Sequence, residues 1–476
     1  MILALAVAAV ALSIRVLVAE FLPVIQPDGV VYVAVAKQFQ ATGSPFDPLF
    51  HPIYPMCIAL AQPFIGDWEM AGRLVSAFFG ALVILPAFAL ARTIVGRQAA
   101  LLAAVFIAVH PRLVQNSASV LCEATYTFVL LCGVLAARRG LVSGPVALIP
   151  FAGLCLGLAY LVRPEAALYI IGLVMVVLFM IATGRARAAV VLPWLGGAVL
   201  VFAVVVAPYV WYLAGVWGHF TLSGKIDHNL ALAVGGADAP SPLPMRVLEN
   251  LLLFQKYAVP DLLPWVLLLL VLPGVLARGR TTGWLGRDGI LLAAALPPFA
   301  SLAFHVEPRI FLPILPFILP FAAVGTLWAA VTLTDARRGW RWAVAMALVV
   351  ALVLVPWTFQ PVLRPDAGAA LYRQAARWVA ETQPRDAVLL DRKPLVAFYS
   401  QRRWVPLPRV GPEELLAAAR QAGARLVVLD SREFFFDRPG LIPLLWGPPP
   451  PGLDVLRDFD AAPADRLRIL VVSDRG

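Results

Sequence analysis

Charge is scarce in this sequence. Only 14% of its 476 residues are Asp, Glu, Lys or Arg, while 61% are hydrophobic. That ratio excludes a single water-soluble core, because so much apolar surface finds no interior to fill. Lysine is rarer still, with only Lys37, Lys225, Lys256 and Lys393. The formal net charge of +10 therefore rests on arginine. The arginines are scattered in pairs between apolar runs, not gathered in one patch, which argues against a nucleic-acid partner. Cys57, Cys122, Cys132 and Cys155 lack the paired spacing of a metal site or of a secreted disulfide framework, and read as packing residues. No P-loop, HExxH zinc motif, GxSxG elbow or Rossmann fingerprint stands in a credible context. Neither a repeat of fixed period nor an inverted pair of broken helices of the transporter kind is evident.

What the sequence has in quantity is long apolar runs. A hydrocarbon layer about 30 Å thick takes about 20 helical residues to cross. That length predicts about eleven spans, near 2–22, 70–91, 98–112, 122–137, 145–161, 166–183, 189–213, 261–277, 289–304, 310–333 and 340–358. No basic n-region precedes the first run, so it reads as a retained span. With the N-terminus inside, the loops bearing Arg92 and Arg97, Arg138 and Arg139, Arg185 and Arg187, Arg278, Arg280 and Arg287, and Arg337, Arg338 and Arg341 all fall on the cytoplasmic side. The C-terminus is then outside. The same topology gathers residues 23–69, 113–121, 214–260 and everything after 360 on the outer face. Within the first of these, 30–39 and 52–64 are too short to span and read as helices lying in the interface.

From about 365 the composition turns polar, with helical patterns at 369–382 and 412–422 and β-rich runs at 387–391, 403–407, 425–430 and 467–472. The expected organisation is a polytopic α-helical membrane domain over 1–360 and a small soluble α/β domain over 361–476.

Chemistry is to be sought at the outer edge. Asp28 stands just outside the first span, and is either a general base facing both lipid and water or a helix cap. Glu123 opens the fourth span, where a carboxylate is expensive unless a cavity or partner receives it. It is either a second acidic site residue or metal ligand, or a first-turn Glu answering the helix dipole. Arg163-Pro164-Glu165 and His305-Val306-Glu307-Pro308-Arg309 place cations at two outer junctions. There a guanidinium either binds lipid phosphate bidentately or snorkels and pairs with its neighbouring Glu. His51-Pro52-Ile53-Tyr54-Pro55 fixes an interfacial turn in which His51 is either a hydrogen-bonded loop residue or a ligand. Lys37, Lys225 and Lys256 all fall in outer loops as candidate phosphate contacts. Arg15, inside the first span, either snorkels or pairs internally.

The ordered set of Asp28 and Tyr32, Ala36, Gly43, His51-Pro52-x-Tyr54-Pro55, Gly66, Arg73-Leu74-Val75-Ser76, Gly80, Ser119 to Glu123, Arg163-Pro164-Glu165, Glu307-Pro308-Arg309 with Pro313 and Pro316, and Phe398-Tyr399-Ser400-x-Arg402 resembles the GT-C superfamily of membrane glycosyltransferases. The resemblance is to the bacterial group related to dolichyl-phosphate-mannose protein mannosyltransferases and aminoarabinose lipid A transferases (glycosyltransferase families 39 and 83). It runs along nearly the whole chain and is densest in the first 170 residues. It implies an inverting hexosyl- or pentosyltransferase of a bacterial inner membrane, with its C-terminal domain periplasmic. The implied donor is a polyprenyl-phosphate sugar, and the implied acceptor is lipid A, another envelope glycan or lipid, or a protein. Asp28 then lies at the catalytic centre with Glu123 in support. Tyr32, Lys37, His51, Tyr54, Arg163, Glu165, His305 and Arg309 bind substrate or lipid phosphate. No cofactor is required, and whether loop carboxylates hold a divalent ion is left open. One departure is Asp28-Gly29, where some members carry paired Asp-Glu, and it counts against protein O-mannosylation. The competing class is a transporter or flippase of lipid-linked sugars, which fits poorly with polar residues gathered at one face instead of mid-membrane.

Overall fold

The computed structural model describes residues 1–225, 242–282, 293–303, 306–333, 339–432, 438–462 and 465–473. The expectations for His305, Arg287, Arg337 and Arg338 lie outside these. The chain divides into two units, Met1–Glu20 with Tyr32–Phe359, and Phe21–Val31 with Gln360–Gly476.

The first unit is helical. We label its leading helices α1 Ile2–Phe21, α2 Pro27–Thr42, α3 Ile53–Ile65, α4 Trp68–Leu82, α5 Ile84–Val95, α6 Arg97–Val109, α7 Pro111–Ser117, α8 Glu123–Val142, α9 Leu148–Tyr160, α10 Ala167–Ala182 and α11 Ala188–Trp217. Among the described residues seven helical stretches are long and apolar enough to cross a membrane, or nine if two bent pairs each count as one span. With apolar helices of spanning length recurring between Ile2 and Thr358, this is a multi-pass membrane protein. The expected interfacial runs 30–39 and 52–64 do form helices, α2 and α3.

Two expected spans take other shapes. α9 has 13 residues, about 20 Å at 1.5 Å per residue, short of the hydrocarbon thickness. In the described part of 289–304, Pro297–Ala303 is a 3-10 helix. Tandem Pro297-Pro298 lacks two backbone donors, so a regular helix cannot run through it.

Small residues let these helices approach closely. The helices Trp265–Thr282 and Leu315–Leu333 meet at Gly274 and Gly325. A Cβ on Gly274 would sit 1.9 Å from the Phe321 carbonyl oxygen, and one on Gly325 would sit 1.9 Å from that of Leu270. α1 buries Ala4, Ala8, Ala11, Arg15, Val18 and Ala19, a stripe at helical spacing. Arg15 is 1% exposed and does not snorkel. It donates to the carbonyls of Ala11 at 3.0 Å, Ala108 at 3.1 Å and Ile107 at 3.3 Å. α6 and α7 bend by 55° around Pro111, whose missing N–H leaves the Ile107 carbonyl four residues back without its helical donor. Arg15 supplies that donor from another span.

The second unit carries a five-stranded sheet in the order β2-β1-β3-β5-β4, with β1 Val388–Asp391, β2 Arg403–Pro406, β3 Leu426–Asp430, β4 Leu453–Ala462 and β5 Asp465–Val472. β1 pairs parallel with β2 and β3, while β5 pairs antiparallel with β3 and β4. The helices Ala367–Thr382 and Leu415–Gln421 fall where the pattern predicts. β4 escaped the sequence reading, because Asp454, Arg457, Asp458 and Asp460 break its apolar alternation. It lies at the sheet edge and carries register shifts, and edge strands use charge and bulges to discourage further pairing.

Candidate active site

Glu123 is the focus of the first unit. It opens α8 and is 2% exposed. Its Oε1 accepts from Arg163 Nη1 at 2.7 Å, and Arg309 Nη1 stands 3.9 Å away. Its Oε2 is 3.5 Å from Asn116 Nδ2. Arg163 also bonds both oxygens of Glu165, at 3.2 and 2.8 Å, while Arg309 pairs with Glu307. The two arginines arrive by one local device. Arg163 and Glu307 each precede a proline and are extended, at φ −151° and ψ 137°, and φ −132° and ψ 120°. A following proline disfavours the helical region. Each break turns a short 3-10 segment, Pro164–Ala166 or Pro308–Ile314, so that its arginine reaches the same carboxylate. A buried carboxylate is tolerated only when paired, and here it aligns two guanidiniums.

Beside this cluster lies an aromatic group. Tyr32 meets Phe50 and Tyr54 edge to face at 5.0 and 4.9 Å, and its hydroxyl is 3.0 Å from Cys122 Sγ, next to Glu123. Lys225 Nζ lies 4.0 Å from the centroid of Phe50, a cation–π contact that brings a third cation here. Tyr54 is fully buried, with its hydroxyl 3.1 Å from the Gly72 carbonyl oxygen and 2.7 Å from Ser76 Oγ, so it ties α3 to α4. His51 is 4% exposed, packed at 5.2 Å from Tyr160 and 4.7 Å from Tyr209. Burial lowers its pKa to about 3, with Glu165 opposing that shift, so the ring is neutral at pH 7. Lys37 is exposed, its Nζ 5.6 Å from the Trp68 ring centroid.

Asp28 belongs to the second unit. It lies in the first turn of α2, inside the helix and not at its cap. An anion there is favoured by the helix dipole, and Tyr32 follows one turn later. Its segment is pinned within that unit, since Ile25 N–H donates to Tyr399 Oη at 2.6 Å and Arg373 Nε donates to the Pro23 carbonyl.

Among the described residues no three His, Cys, Asp or Glu side chains converge to hold a metal. Sequence reasoning had no signal for Asn116 and left Lys225 as one lysine of three. Only the folded chain puts them beside Glu123 and Phe50.

An apolar groove of about 100 Å³ runs between α8, α9 and α10, lined among others by Gly133, Ala137, Leu156 and Leu173. Gly133 is ten residues beyond Glu123 on α8, about 15 Å along the helix.

The family model of dolichyl-phosphate-mannose-protein mannosyltransferases matches residues 47–212, a span that includes Glu123 and Arg163. No curated protein matches the sequence. Solved structures do. ArnT from Cupriavidus metallidurans bound to undecaprenyl phosphate aligns at 15% identity over 99% of this chain and 98% of its own, with a TM-score of 0.64. The oligosaccharyltransferase AglB from Archaeoglobus fulgidus, in complex with an inhibitory peptide and a dolichol-phosphate, aligns at 15% identity over 93% of this chain and 72% of its own, with a TM-score of 0.62. The chain has the fold of the GT-C glycosyltransferase superfamily, as the ordered residues above led us to expect.

Proposed function

We infer that the protein transfers a sugar from a polyprenyl-phosphate donor to a hydroxyl acceptor, with inversion, at the outer face of a bacterial inner membrane. The observation that carries this reading is the Glu123 carboxylate holding Arg163 and bordering Arg309 at one end of α8, with an apolar groove farther along the same helix. That combination suits a ligand with an anionic head and a long hydrocarbon tail. The solved relatives bound to undecaprenyl phosphate and to a dolichol-phosphate support it.

In this scheme Asp28 accepts the proton of the acceptor hydroxyl as its oxygen attacks the anomeric carbon. The bond from that carbon to the phosphate oxygen breaks, and polyprenyl phosphate leaves with the bonding electrons. Arg163 and Arg309, with Lys225 near, meet the charge that develops on the phosphate. Glu123 acts through them by fixing their orientation. His51, neutral and enclosed, and Tyr54 hold the surrounding turn in shape.

The test is sugar transfer by purified protein in lipid, offered a panel of polyprenyl-phosphate sugars with glycolipid, glycan and peptide acceptors. Asp28→Asn is expected to lower turnover on the order of a hundredfold or more. Equal turnover in both proteins would remove the base from Asp28. Movement of labelled lipid between leaflets without donor consumption would replace transfer with transport.

A further inference from the structure

The second unit contains an open cavity of about 450 Å³ lined by Ala380, Arg385, Tyr399, Ser400, Gln401 and Arg402. Among the described residues its cations have no carboxylate partner. Arg402 donates from Nη1 to the Ser400 carbonyl at 2.8 Å, and from Nη2 to those of Ala380 and Gln383 at 3.1 and 2.9 Å. Its guanidinium is thus fixed by neutral acceptors, and its buried Nε meets no acceptor among the described residues. Arg385 is exposed and forms no hydrogen bond or ion pair among the described residues. Glu381 and Asp386, its acidic neighbours in sequence, form no ion pair with either arginine among the described residues.

The backbone adds an independent sign. Gln401 is the one non-glycine residue with positive φ, 55°, among the described residues. It closes the helix Leu395–Ser400 at a position where glycine avoids the left-handed penalty. Strain of this kind gathers where a side chain is used, and here an amide side chain lines the cavity beside two guanidiniums.

Two uncompensated cations in a concave site make a positive field, and guanidinium matches the oxygens of phosphate and carboxylate. The volume suits a sugar carrying such a group. We propose that this cavity binds an anionic sugar headgroup, with Arg402 as the fixed cation, Arg385 as the mobile one and Gln401 contacting hydroxyls.

The test uses the full chain in nanodiscs of neutral lipid. Saturation-transfer NMR measures binding of glucose 1-phosphate, glucuronate, inorganic phosphate and glucose. Both charged sugars are expected to bind more tightly than phosphate or glucose. Arg385→Gln, an exposed change that spares the fold, is expected to weaken them at least about tenfold, the loss of one charge-assisted hydrogen bond. Arg97→Gln, an exposed change in the membrane unit outside the proposed donor site, is expected to leave them unchanged. The proposal is overturned if Arg385→Gln binds like the wild type, if Arg97→Gln weakens binding as much as Arg385→Gln does, or if glucose or inorganic phosphate binds as tightly as the charged sugars. Transfer is not measured, so these outcomes are independent of the donor reading.

Discussion

Glu123 shows what a single buried charge demands. Its carboxylate is 2% exposed and meets Arg163 at 2.7 Å. Removing one partner strands the other, at about 3–5 kcal/mol for a buried pair. Arg163→Gln and Glu123→Gln should each destabilise the protein, whereas the double variant should lose clearly less than the sum, as read from thermal unfolding in detergent. Additive losses would show that the two side chains are not coupled. His51 makes a second case. Its folded pKa of about 3 lies below the ordinary value of 6.5, so between these the unfolded chain binds the extra proton. The stability that neutral His51 contributes is complete above pH 6.5 and is lost progressively as pH falls toward 3. His51→Phe should flatten the unfolding temperature over that window, and an unchanged slope would assign the acid sensitivity elsewhere.

Among the elements, the breaks matter as much as the helices. Pro164 and Pro308 were legible as loop punctuation, and their neighbouring arginines as candidate phosphate ligands. That both loops deliver cations to one carboxylate was not legible, because residues 123, 163 and 309 meet only through packing of the spans between them. The segment Phe21–Val31 is similar. Its place after the first span was plain, but its bonds to Tyr399 and Arg373 join positions 374 and 350 residues apart. Tyr399→Phe deletes the acceptor of the Ile25 N–H. It should lower sugar transfer about tenfold, the worth of roughly one hydrogen bond, with donor KM little changed. A rise in KM alone would give Tyr399 a binding role in place of a positioning one.

For the whole molecule, the division into units crosses the chain order. Phe21–Val31, with Asp28, groups with Gln360–Gly476, so the C-terminal sheet domain is more than an appendage after the last span. A chain ending at Phe359 should still enter membranes, because the apolar helices and their glycine contacts lie in the other unit. It should lose sugar transfer, because the segment carrying Asp28 loses its partners. Membrane fractionation and the transfer assay separate these outcomes, and full turnover by the shortened chain would free Asp28 from the tail. Arg15 makes the complementary point. A charge inside a span reads as snorkelling or pairing, yet it repairs the α6–α7 break across helices, a demand created by Pro111 in a distant segment.

Composition and apolar run length by themselves determined that the protein is polytopic, because transfer of apolar surface to lipid adds residue by residue and needs no knowledge of contacts. The polar tail and four of its five strands followed from local alternation in the same way. The tertiary structure decided what depends on distant residues meeting: the pairing of Glu123 with Arg163 and Arg309, the arrival of Lys225 over Phe50, the burial that keeps His51 neutral, and the grouping of Asp28 with the C-terminal unit. Electrostatic and hydrogen-bond energies act over a few ångströms, and sequence separation carries no measure of that distance.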